Sequence, residues 1–144
     1  MWFSTTQNNN SFTTVAHINN EEVCKCTVSR DSNTWTISSW YTMKKYQHHG
    51  YGKLTLQECI KALAKKFIMP ECVKYIWNGA NQYVYDWLQE NFDAVCECPI
   101  AVQKYSVEDD WSSHVYTLNK DKFFAYLLKD DTTKLIEIYD GLQV

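Results

Sequence analysis

The chain has 144 residues, with 14 Lys+Arg against 17 Asp+Glu and a net charge of −3, which fits one domain large enough to bury a full core. A slightly acidic surface disfavours general nucleic-acid binding, which draws on Lys/Arg patches. No run of 18 apolar residues and no secretion-signal pattern occurs, so the expectation is a cytoplasmic chain that does not span a membrane.

In chain order, Met1-Trp2-Phe3 and the polar stretch Gln7 to Asn10 leave little room for an element of their own. Ser11–Ile18 and Val23–Ser29 read as strands separated by Asn19-Asn20-Glu21-Glu22, and Arg30-Asp31-Ser32-Asn33 leads into a third strand, 34–42. Alternating runs divided by turn-forming clusters predict an antiparallel meander. The 34–42 stretch is β-branched, aromatic and hydroxyl-bearing, without proline or glycine.

From Tyr51 to Phe67 the period changes. Leu56, Cys59, Ile60, Leu63 and Phe67 recur at helical spacing, while Lys53, Gln57, Glu58, Lys61, Lys65 and Lys66 fill the opposite face. This predicts a one-sided helix packed on a sheet, halted by Pro70. Next come a short strand at 72–77, a helix over 81–90 with Val84, Trp87 and Leu88 inward, and strands at 94–98 and 113–118. Asn119 caps a helix over 120–129 with Phe123, Phe124 and Leu127 inward, and a last strand falls at 134–139.

Between the 34–42 strand and the long helix stands Gln47-His48-His49-Gly50-Tyr51-Gly52. Glycines let a backbone approach a ligand closely. The first-turn N–H groups of the helix have no partners within it and carry the positive end of its dipole, a receptor for pyrophosphate. A dinucleotide fingerprint would need a third small residue where Thr55 stands, and no P-loop pattern is present.

The stretch Trp40 to Leu56 resembles the acyl-CoA-binding motif of the GNAT superfamily of N-acetyltransferases, [Q/R]-x-x-G-x-[G/A] after a strand. Gln47, Gly50 and Gly52 fill the three positions, and Tyr51 is similar to the histone-acetyltransferase branch. Many members carry a proline where this chain has Lys44. The order of elements over 11–118 matches that family from its second strand onward. The resemblance implies an α/β fold, a mixed central β-sheet flanked by helices, with the N-terminal strand/helix unit shortened. It also implies one acyl-CoA-binding domain over 1–144, of which 119–144 is a C-terminal extension.

By the same resemblance, acetyl-CoA is the co-substrate and a primary amine (a protein lysine, an N-terminus or a small amine) the acceptor. The end of the strand, Trp40-Tyr41-Thr42, pairs its backbone with the pantetheine arm. Gln47, His48, His49, Gly50, Tyr51, Gly52 and Lys53 hold the pyrophosphate, and Asn81 contacts the cofactor. In many relatives a Glu before the motif serves as base, but 34–42 contains no carboxylate. A water chain through Ser39 or Tyr41, or an acid from Glu108–Asp110, is the substitute. The tyrosine that protonates the leaving thiolate in relatives falls here on Trp87, which leaves Tyr85 or water as donor. These departures keep a second reading open, a non-catalytic acyl-CoA-binding or protein-interaction and inhibitor module. Acidic clusters at Glu108–Asp110 and Asp130-Asp131 suit a cationic acceptor, and a homodimer is left open.

Cys24/Cys26 and Cys96/Cys98 are two C-x-C pairs on predicted strands, with Cys59 and Cys72 alone. On a strand such a pair puts both thiols on one face about 7 Å apart, whereas zinc sites favour C-x-x-C turns. Buried apolar cysteines without a metal are the expectation. His48 and His49 lie in the pyrophosphate loop, and His17 and His114 on strands.

Overall fold

The computed structural model describes residues 1–77, 82–97 and 114–128. Seven strands form one sheet: β1 (Trp2–Asn8), β2 (Ser11–Ile18), β3 (Glu21–Asp31), β4 (Thr34–Thr42), β5 (Cys72–Trp77), β6 (Val95–Cys96) and β7 (His114–Leu118), in spatial order β1-β2-β3-β4-β5-β7-β6. The first four make an antiparallel meander. β4 and β5 are parallel, and β7 is antiparallel to both β5 and β6. Helices α1 (Tyr51–Ala64), α2 (Gln82–Phe92) and α3 (Lys120–Leu128) complete the mixed α/β architecture. None of the described helices is long and apolar enough to cross a membrane.

The turns follow their residues. Asn19 (φ 51) and Asn20 (φ 64) make the β2–β3 connection in the left-handed conformation that tight hairpins demand, where Asn is tolerated. The N-terminus departs from expectation. Residues 2–8 form a full strand, and a two-residue turn at Asn9-Asn10 replaces the helices that the resemblance would place before β2. Cross-strand hydroxyl contacts hold this polar strand: Thr5 with Thr14 at 2.8 Å and Ser4 with the His17 ring at 3.0 Å. Trp2 stacks on His17. β6 keeps only two of the residues expected at 94–98, and α2 runs to Phe92 rather than ending near residue 90. The strand read at 134–139 lies outside the described residues.

The core gathers Phe12, Cys26, Val28, Trp35, Ile37, Leu56, Ile60, Leu63, Leu88, Phe92, Tyr116, Phe123 and Leu127. The α1 stripe of Leu56, Cys59, Ile60 and Leu63 lies against β2 and β3 as its period requires. Removing Leu63 to the β-carbon should cost about 2–5 kcal/mol, the usual range for a buried leucine. Yet α1 is not one-sided. Gln57 and Lys61 are also buried; α3 packs on the helix at Gln57, whose amide donates to the Leu127 carbonyl. Cys24, Cys26 and Cys59 are buried free thiols, Cys96 is buried, and Cys72 is half-buried. A hydrogen bond with Cys59, and then burial, raise the Cys26 thiol well above its ordinary value, so it stays protonated. Among the described residues no three His, Cys, Asp or Glu gather as metal ligands.

Candidate functional site

β4 and β5 pair only from Thr34↔Cys72 to Ile37↔Tyr75, although β4 continues to Thr42 and β5 to Trp77. Past that point β5 bonds only β7, and β4 bonds only β3. The cause is local. Thr27 opposes Ser39 while Val28 opposes Ile37, so Ser38 is the extra residue of a β-bulge. A bulge bends its strand and shifts the face that follows. Trp35 and Ile37 point into the core before it; after it Trp40 packs against that core opposite Cys26, and the Thr42 hydroxyl donates to Cys24 Sγ at 3.3 Å. Tyr41 is turned out, 55% exposed. The backbone of Ser38–Thr42 thus borders an opening with no strand on its β5 side among the described residues. An extended ligand can add there as a strand does.

The turn into α1 is anchored at several points. Lys44–Tyr46 form a 3-10 turn. Met43 N donates to Val23 O, and the Gln47 amide donates to the Thr42 carbonyl at 3.1 Å. Tyr46 Oη donates to Glu21 and Lys45 Nζ sits 3.1 Å from the same carboxylate, which holds Glu21 below the usual carboxylate range. His48 (φ 68) and Gly50 (φ 83) take left-handed backbone, and Gly50 caps α1 without a side chain to offer its first N–H groups. Those groups, and the positive end of the helix dipole, face outward at the same end of the molecule as the opening.

The two glycines do different work. A β-carbon at Gly50 would meet nothing within 4 Å, so that position demands only its positive φ and open access. At Gly52 a β-carbon would stand 3.2 Å from Thr42 Oγ1 and 3.4 Å from Trp40 Nε1. The indole of Trp40 donates to Gly52 O at 2.9 Å. Gly52 therefore lets the first turn of α1 sit directly on the end of β4, and Trp40 latches the two together.

Across the opening the wall is aromatic. Trp40 approaches Tyr75 (ring centroids 6.1 Å apart) and Trp87 (6.3 Å); Trp87 meets Phe92 and Tyr126 edge-on, and Lys53 Nζ lies 4.5 Å from the Tyr126 ring centre. Burial pushes the Tyr75 phenol up to about 12, so it keeps its proton at neutral pH and cannot act as a base.

The structure brings Trp40, Thr42, Gln47, Gly50, Tyr51, Gly52 and Lys53 to one end. His49 stands 5.9 Å from the Tyr51 ring, and His48 is exposed. Tyr41 is near in sequence but faces away. Asn81, the Glu108–Asp110 loop and the side chain of Tyr85 lie outside the described residues. Ser38, Tyr75 and Tyr126 were not singled out in the sequence. Tyr75 shares a strand face with Val73, and Tyr126 follows Phe123 by three positions on α3, so both read there as ordinary core.

No family model matches this sequence, and no curated protein matches it. Solved structures do. The PaiA N-acetyltransferase of Thermoplasma acidophilum, solved with coenzyme A, aligns with a TM-score of 0.53 at 16% identity over 76% of this chain. A GNAT-family acetyltransferase of Elizabethkingia anophelis with acetyl-CoA bound gives 0.51 at 16% over 76%. A Bacillus subtilis acetyltransferase in complex with CoA gives 0.52 at 11% over 76%. The chain spans 60% of the length of the Thermoplasma protein and 76% of each of the other two. At such identities the likeness establishes the fold: this chain has the GNAT acetyltransferase fold.

Proposed function

We propose that this domain is a cytoplasmic acyltransferase that moves the acetyl group of acetyl-CoA to a primary amine. One observation carries the reading. The unpaired β4 edge at Ser38–Thr42 and the uncapped start of α1 meet at one end of the molecule, so a strand-like arm and an anionic head can be held together. The open space in front of Gly50 fits a pyrophosphate, and the three similar proteins named above are described as acetyltransferases with CoA or acetyl-CoA bound.

Acetyl-CoA would supply an activated thioester. The chain's own part is mainly backbone. N–H and C=O groups past the Ser38 bulge align the arm, and an N–H there faces the carbonyl oxygen as negative charge develops on it. The amine nitrogen forms the new C–N bond as the C–S bond breaks. The proton it sheds leaves through water, since 34–42 holds no carboxylate, and the thiolate takes a proton from water or from Tyr85. The aromatic wall of Trp40, Tyr75 and Trp87 excludes water and offers no titrating group near neutrality. Where water serves as both acid and base, turnover should be slower by the roughly 10²–10⁴ that built-in groups supply.

A second reading has its own support. Trp87, packed on Trp40, Phe92 and Tyr126, occupies the position where the resemblance implies a catalytic tyrosine, which suits a module that binds acyl-CoA without turnover. Thiol release from acetyl-CoA, followed with a panel of amines, separates the two. Amine-dependent release supports transfer; saturable acetyl-CoA binding with no release under any amine favours the binding module, and no binding at all removes both.

A further inference from the structure

The far edge of the sheet, away from the β4–β5 opening, is β1. It runs seven residues, Trp-Phe-Ser-Thr-Thr-Gln-Asn, with no charge, proline, glycine or bulge, and Trp2 is 53% exposed. Folded proteins usually guard such an edge with one of these devices. The groups it leaves unpaired among the described residues can be assigned. Asn8↔Ser11 closes a two-residue turn and is therefore a hydrogen-bonded pair, as are Thr6↔Thr13 and Ser4↔Val15 by alternation. The N–H and C=O groups of Phe3, Thr5 and Gln7 then point out from the sheet.

Beside this edge, on the helical face, lies a cavity of about 410 Å³ lined by Thr5, Gln7, Phe12, Glu58, Ala62 and the lysines Lys61, Lys65 and Lys66. Glu58 is taken by Lys61 at 3.3 Å, and the Lys66 ammonium reaches Gln7 across the groove. Lys65 and Lys66 are exposed. Two exposed lysines, Lys65 and Lys66, thus stand along this strand edge beside the Lys61–Glu58 pair, in a chain of net charge −3.

We propose that β1 and the Lys61–Lys66 groove together form a docking site for an extended, acidic segment of a partner protein. That segment adds as an eighth strand and turns alternate carboxylates toward α1. Main-chain bonds to Phe3, Thr5 and Gln7 supply the pairing, and the lysines select the charge. The same charge argues against a second copy. Antiparallel pairing of two β1 strands about Thr5 keeps both α1 helices on one face and brings like lysine groups together.

The probe is a short fluorescein-labelled peptide alternating Glu and Val, with a Lys/Val peptide as control, read by anisotropy against the whole chain. The Glu peptide should bind at least about tenfold more tightly than the control, a plausible sum of several rim charges. Thr5→Pro removes an outward N–H where an edge strand tolerates proline, and should weaken binding about tenfold or more relative to Thr5→Val, which loses the same hydroxyl bond to Thr14 but keeps the N–H. Should that variant melt early, a Glu/Val peptide N-methylated at alternate residues applies the same test from the partner side. The double substitution Lys65→Glu and Lys66→Glu should reverse the preference between peptides, which a purely structural role would not do. No binding of the Glu peptide, indifference to both backbone blocks, an unreversed preference, or a parent dimer that Thr5→Pro dissociates would each overturn the proposal. None of these readouts depends on acetyl-CoA.

Discussion

The opening between β4 and β5 has two unlike walls. On the β4 side the groups that border it are main chain: the strand past Ser38, the turn at Gly50 and the first N–H groups of α1. On the β5 side they are rings, Tyr75 and Trp87, with Trp40 reaching across from β4 and the Tyr126 ring behind them. A backbone wall tolerates sequence change, because any residue carries an N–H and a C=O, provided the glycines stay. A side-chain wall does not, and here the position implied for an acid holds an indole. In the proposed reaction, holding a cofactor and moving a proton would thus rest on different kinds of group.

Substitution at the two glycines gives the sharpest contrast within the backbone wall. Gly50→Glu places a carboxylate in open space before the helix start, at a left-handed φ that costs about 1–2 kcal/mol for a residue with a β-carbon. Acetyl-CoA affinity should fall about 100-fold or more while the fold survives. Gly52→Glu drives a β-carbon into Thr42 and Trp40 and should lower the melting temperature as well. Calorimetric titration alongside thermal melts reads both; equal melting temperatures for the two variants would break the distinction. Next in size is Tyr85→Phe. A large drop in kcat with unchanged CoA affinity makes Tyr85 the thiolate's acid, whereas no change leaves that task to water.

Trp40→Phe keeps the ring and deletes one hydrogen bond to Gly52 O, worth about 0.5–1.5 kcal/mol. It should loosen the first turn of α1 and weaken CoA binding about threefold to tenfold. The ring wall has a pH signature. The folded state raises the Tyr75 phenol from 10.0 to about 12, so it holds a proton that the unfolded chain has already lost. The stabilisation is complete below pH 10 and disappears as pH climbs toward 12, up to about 3 kcal/mol for two units. Denaturant unfolding across that range should show the slope in the parent and lose it in Tyr75→Phe.

Much of the cofactor side was legible in the sequence. Period two over 34–42, period 3.6 from Tyr51 and glycines at the junction leave few alternatives, and the parallel β4–β5 pair follows from the helix between them. The bulge at Ser38 was not legible, since one extra residue in a Ser-Ser step disturbs no hydrophobic pattern, yet it decides that Trp40 faces in and Tyr41 out. β1 was passed over because its polar residues look like a tail; its order comes from cross-strand hydroxyl pairs that only pairing reveals. Gln57 reads as the wet face of α1 because the α3 carbonyl that takes its amide lies 70 residues on.

Amide chemical shifts of isotopically labelled protein during titration with acetyl-CoA test the central claim most directly. Saturable changes at Gly50, Tyr51, Gly52 and Ser39–Thr42, with β1 and β2 unmoved, are predicted. Binding that leaves those amides unchanged, or no binding at millimolar acetyl-CoA, would contradict it.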